Sequence, residues 1–192
     1  MEALAGAKGG RGRSHRASLL GVFMQRLTQS SSALAVRGSL TIHSAPSALR
    51  AHVEWALADL LGLSTRCEWT PQMLKAGTFK CTLTWRDRAG VAAAVASALR
   101  SWHYLYFEVQ EDSNSGGELF RFTPELGIHR AVTDLSGAVL VSENQINEIL
   151  QKSFDEESIR SGIAHCLGED WENELERFRG VNHQELSHLR AI

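Results

Sequence analysis

Apolar and polar residues follow one another along this chain in short blocks, and the period of each block predicts an element. Ser39-Leu40-Thr41-Ile42-His43 repeats every two residues and reads as a strand. Ser44-Ala45-Pro46-Ser47 reads as a helix entry, with a serine cap and an early proline. Leu49, Val53, Leu57, Leu60 and Leu61 then recur at helical spacing, and Gly62 ends that helix. Two more alternating runs flank residues 71–77. Cys67 and Trp69 share one face of the first, and Phe79, Cys81, Leu83 and Trp85 share one face of the second. A loop symmetric about Leu74 predicts an antiparallel hairpin pairing Trp69 with Phe79, Cys67 with Cys81 and Glu68 with Lys80.

Val91, Val95, Leu99 and Trp102 mark a second helical stripe, and Leu105, Phe107 and Val109 a further strand. The order β-α-β-β-α-β predicts an α+β fold of ferredoxin-like type, an antiparallel sheet with its helices on one face. Ser113 to Gly117 is a turn. Short strands are expected over residues 119–123, 127–133 and 138–141. Ser142 and Gln145 form a capping-box signature for a helix through Ile146, Ile149 and Leu150. Helices are also expected over about 155–167 and 171–189. The expected organisation is a basic leader over 1–36, a ferredoxin-like unit over 37–112, and a β-rich then helical extension over 113–192 packed on the same domain.

Charge changes this picture at the N-terminus. The 192 residues carry a formal charge of −2, but residues 1–37 hold six Lys/Arg and one acid. The remainder holds 14 basic and 21 acidic residues. The leader is rich in Gly, Ser and Ala and reads as disordered. An organelle transit peptide, a basic arm for nucleic acid or membrane, and a gene read from too far upstream, with Val36 as the true start, all fit its composition. A signal peptide is disfavoured, because residues 19–24 are too short for its apolar core. The acidic body argues against nucleic acid, and no apolar run reaches the length of a membrane span.

Chemistry-bearing motifs are sparse. Three cysteines give no disulfide framework, and Cys67 and Cys81 read as buried thiols rather than a bridge. No CxxC or HxxxH spacing offers a zinc site, so neither metal nor cofactor is expected. Ser44, His52 and Glu54 make a triad only on paper, since His52 and Glu54 point apart on one helix. The nucleophile elbow and the phosphate-binding loops are absent. No catalytic residue is assigned. The strand at residues 77–81 lacks the motif of an RNA-recognition module. His43, Ser44 and Ser47 at the helix entry, with His129, are the candidate ligand site, a reading that a pocket there with His129 or His103 converging on it would favour. Trp55 lies off its helix stripe. Trp171 sits among acids that include Glu172, with Phe178 at helical spacing beyond it. These four are the candidate partner contacts, although the expected role of Trp171 is to dock its own segment.

Several separated motifs then agree in order: residues 43–49 with His52-Val53-Glu54-Trp55-Ala56, then Glu68-Trp69-Thr70-Pro71, residues 98–103, and Thr123-Pro124-Glu125-Leu126-Gly127-Ile128. Together they resemble a small actinobacterial family of unknown function, over roughly residues 37–190. Many members read Cys-Pro where this chain has Arg50-Ala51, so no redox role rests there. The resemblance implies a cytoplasmic bacterial protein, which favours the upstream misreading of the start over a transit peptide. It also implies a gene neighbourhood of fatty-acid synthesis. The resulting expectation is an accessory or regulatory subunit without catalytic residues, bound to acyl-CoA (acetyl-CoA) carboxylase or the fatty-acid synthesis machinery. The alternative is a small-ligand sensor or enzyme using the His43–Ser47 entry.

Overall fold

In a computed structural model of the chain, residues 35–62 and 66–179 are described. From Val36 onward they belong to one contact unit, Val36–Ile192. The expected leader lies outside the described residues apart from its last two, and Val36 already belongs to the first strand. The expected helix beyond Arg179 also lies outside them. The fold is α+β, with a seven-stranded antiparallel sheet and five α-helices among the described residues.

β1 (Val36–Pro46), β2 (Thr70–Pro71), β3 (Thr78–Asp87), β4 (Tyr106–Ser113), β5 (Gly116–Thr123), β6 (Gly127–Thr133) and β7 (Val139–Leu140) lie in the order β2-β3-β1-β4-β5-β6-β7. Both edge strands are two residues long, which limits the exposed backbone available for pairing. α1 (Arg50–Leu61) and α2 (Val91–Leu99) cover one face. Their Val53, Leu57, Val95 and Leu99 close over Leu40, Ile42, Phe107, Val109, Phe120 and Phe122 in one buried cluster. Strand alternation turns Tyr106, Glu108, Arg121 and His129 to the opposite face. α3 (Glu143–Lys152) and α4 (Glu156–Leu167) follow β7. α5 (Glu169–Arg179) then returns to that second face, where Leu175 and Phe178 pack with Tyr106.

Two elements depart from expectation. Residues 44–46 are not a helix entry: β1 runs through them, with register irregularities after Ile42 against both neighbours. Pro46 is extended (φ −55°, ψ 145°), and a three-residue 3₁₀ turn over Ser47–Leu49 precedes α1 with no side-chain cap. The hairpin register is also shifted. Thr70 faces Lys80 and Pro71 faces Phe79, two residues from the predicted pairing. A two-residue slip preserves which side chains share a face, so Cys67, Trp69, Cys81, Leu83 and Trp85 still pack on the helix-covered side. The loop is held by Gln72 N–H to Thr78 O (2.9 Å) and a left-handed Gly77 (φ 77°), which move its centre off Leu74. Cys67 and Cys81 are free thiols.

Gly38 meets a close approach. It faces Trp85 across the β1–β3 ladder, and a Cβ there would lie 2.1 Å from the indole ring.

Candidate functional site

The second face of the sheet holds a row of ionisable side chains where a solvated surface would be expected. β4 supplies Glu108, and the register places Arg121 of β5 beside it and His129 of β6 beside Arg121. His43 of β1 closes the row, with Nε2 3.2 Å from Glu108 Oε2. α5 lies across it. Arg121 Nη2 is 2.5 Å from Glu172 Oε2, and its Nε is 3.6 Å from Glu108 Oε1. Arg179 pairs with both Glu108 and Glu172 and reaches Glu176 Oε2 at 2.8 Å. Two carboxylates thus hold two guanidiniums under a helix. Such charges are tolerated out of water only when paired in this way.

Burial alone would push the Glu108 carboxyl up. The His43 hydrogen bond and charge, with Arg179, outweigh it and hold the group below its ordinary range. His129 is moved the other way in charge terms. Burial lowers its pKa, Arg121 and His165 push it further down, and only the hydrogen bond to the Cys166 carbonyl (3.1 Å) opposes this. Its ring lies 4.8 Å from that of Trp171, whose Nε1 donates to Gly127 O at 2.9 Å. Gly168, left-handed at φ 74°, turns the chain between α4 and α5 against this ring, and a Cβ there would come within 2.6 Å of it.

His43 and His129 are therefore both buried on one face, at opposite ends of the row, each with its own partner. Ser44 is fully buried and its hydroxyl has no hydrogen-bond partner, while Ser47 is exposed. The structure does not gather His43, Ser44, Ser47 and His129 into one cavity. The paper triad does not form either: Glu54 accepts from Trp69 Nε1 at 2.7 Å, and His52 lies edge-on to Trp55. Of the partner candidates, Trp171 and Phe178 are buried within the chain and Glu172 is in the ion network. Trp55 is 69% exposed. Among the described residues no group of three or more His, Cys, Asp or Glu is placed to hold a metal. No described helix is long and apolar enough to cross a membrane.

Sequence reasoning missed three features. Glu108 and Arg121 occupy polar positions of alternating strands, which read as solvated until α5 covers them. A cleft of about 330 Å³ lies beside Tyr106, whose hydroxyl donates to Glu125 at 3.1 Å. The third is the exposed apolar side of the α3–α4 pair, whose helices lie where the sequence predicts them. Both helices begin with capping boxes, at Ser142 with Gln145 and at Asp155 with Ser158. α3 is amphipathic, yet neither helix buries a single residue. Ile146 and Leu150 on α3, Phe154 in the link and Ile163 on α4 are exposed, Phe154 at 99%. Ile149 packs against Gly162, where a Cβ would fall 2.7 Å from it.

No curated protein and no solved structure matches the chain. The model of one family, described as "Protein of unknown function (DUF3145)", matches residues 39–190. With most of its length matched, the chain belongs to that family.

Proposed function

We propose that this protein is a non-catalytic accessory subunit that docks onto a larger enzyme through the α3–α4 face. The observation that carries this reading is the state of that face. Two well-capped helices present Ile146, Leu150, Phe154 and Ile163 to solvent, and helices with this pattern ordinarily bury it. Residues 143–176 hold ten acids and two bases. A second copy of the chain would bring like charges together. The fitting partner instead carries an apolar ridge flanked by Lys and Arg. The partner class is an acyl-CoA carboxylase or a fatty-acid synthesis enzyme, acting in the cytoplasm, and this choice rests on the family resemblance alone. For the scaffold we propose a ferredoxin-like unit. The strand order β2-β3-β1-β4, with α1 and α2 on one face, supports it.

The test is affinity capture from native lysate with the wild-type chain and with a Leu150→Ser/Phe154→Ser double variant. The reading expects a carboxylase or synthase component with the wild type and its loss with the variant. Recovery of the wild-type chain alone, or equal recovery by both, would contradict it.

A further inference from the structure

The cleft beside Tyr106 carries charges that the described residues leave without ion pairs. Its walls include Lys75, Tyr106, Glu125, Glu174, Arg177 and Phe178. They come from three separate parts of the chain: the loop after β2, the β4 and β5–β6 region, and α5. Lys75 and Arg177 make no ion pair with any described residue, and neither do Glu125 and Glu174. Oε2 of Glu174 is shut off from solvent and has no hydrogen-bond partner. A ligand in the cleft would therefore meet the other oxygen of this carboxylate, which lines the cleft without an ion-pair partner among the described residues. The Tyr106 hydroxyl already serves Glu125, and burial with that neighbour pushes the phenol up to about 12, so it remains a donor near neutrality. The Lys75 ammonium stands 5.1 Å over the Tyr106 ring.

We infer that this cleft binds a small zwitterion, an α-amino acid with an apolar side chain. Its ammonium group would meet Glu174 and Glu125, its carboxylate would meet Lys75 and Arg177, and its side chain would lie against the Tyr106 and Phe178 rings. The lining balances two positive against two negative groups, so a ligand of either net charge would leave one pair uncompensated. A neutral dipolar molecule satisfies both. The volume suits one small molecule, at the lower end of ligand pockets, which start at roughly 300 Å³. None of its lining residues belongs to α3 or α4.

The test uses the full chain and isothermal titration calorimetry with L-leucine, L-valine and L-phenylalanine. N-acetyl-L-leucine, which lacks the ammonium, and L-leucinamide, which lacks the carboxylate, are the matched controls. The expected result is saturable binding of at least one free amino acid and at least tenfold weaker binding of both controls. Glu174→Gln and Lys75→Met should each weaken binding by about tenfold or more, as loss of a charged hydrogen bond does. Circular dichroism checks that both variants stay folded, and Glu169→Gln, an exposed position of the same helix, serves as a neighbouring substitution outside the cleft. Absence of binding by all three amino acids overturns the inference. So does binding that is equal for leucine and leucinamide, or unchanged in folded Glu174→Gln.

Discussion

Replacing Glu108 with glutamine tests whether the ionic row under α5 holds the second face together. The carboxylate meets the His43 ring at 3.2 Å and two guanidiniums, Arg121 at 3.6 Å and Arg179. Its side chain is 17% exposed. Removing one partner of a buried ion pair costs about 3–5 kcal/mol, because the other charge is stranded. Here the stranding is incomplete, since Glu172 still pairs with Arg121 at 2.5 Å and with Arg179. The expected loss is therefore about 2–3 kcal/mol, just below that range. For a folded body of this size, between the ~100- and ~150-residue cases, each kcal/mol shifts Tm by about 3–4 °C, so Tm should fall by roughly 6–12 °C. The loss depends on pH. A carboxylate held below its ordinary range contributes stability that is complete above the unfolded pKa, near 4.3, and is lost as pH falls through the lower folded value. Wild type and Glu108→Gln should thus differ most at pH 6–7 and converge in acid. Thermal unfolding followed by circular dichroism across pH 3–7 reads this directly. A Tm change below about 2 °C at pH 7, or a gap that stays constant into acid, refutes the reasoning.

Other substitutions probe other parts of the account. Gly38→Ala puts a Cβ into the Trp85 ring and should cost about 1–3 kcal/mol, with a shift in tryptophan emission, in chemical denaturation. His129 is held neutral by burial, so the unfolded chain takes up the proton first; stability should fall as pH drops through about 6.5, and His129→Gln should flatten that slope between pH 7.5 and 5. Asp155→Ala removes the α4 capping box and should cost about 1 kcal/mol in thermal unfolding. Phe154→Ser should change stability by less than about 0.5 kcal/mol while weakening partner binding by more than 1 kcal/mol, because the ring touches little of its own fold.

The strands on the helix-covered face were legible because their alternation is uninterrupted. Leu40 and Ile42, Cys81 to Trp85, and Leu105 to Val109 all point where their period predicts. The capping box at Ser142 carries its own geometry, and α3 starts at it; α4 lies where a helix over about 155–167 is expected. What failed was set by contacts distant in sequence. Ser44 to Pro46 has the composition of a helix start, but pairing with β3 and β4 keeps it extended. The hairpin register depended on Gln72, which also donates to the His43 carbonyl at 2.7 Å, an anchor no local pattern reveals. The ionic row was hidden for the same reason. His43 was singled out by its position and His129 as its companion, but Glu108 and Arg121 look like surface residues until α5, some fifty to seventy residues on, closes over them. The acidic helical segment drew attention to Trp171, whereas the exposed apolar side chains lie before it, at Ile146, Leu150, Phe154 and Ile163.

A photo-crosslinker on the α3–α4 face tests most directly whether that face seats a larger enzyme. Benzoylphenylalanine in place of Phe154 should, on irradiation in native cells, yield a single heavy adduct containing a carboxylase or fatty-acid synthesis subunit. The same group in place of Tyr104, which is 68% exposed in the connection between α2 and β4, should yield none. No adduct at position 154, or the same adducts at both positions, would contradict the account.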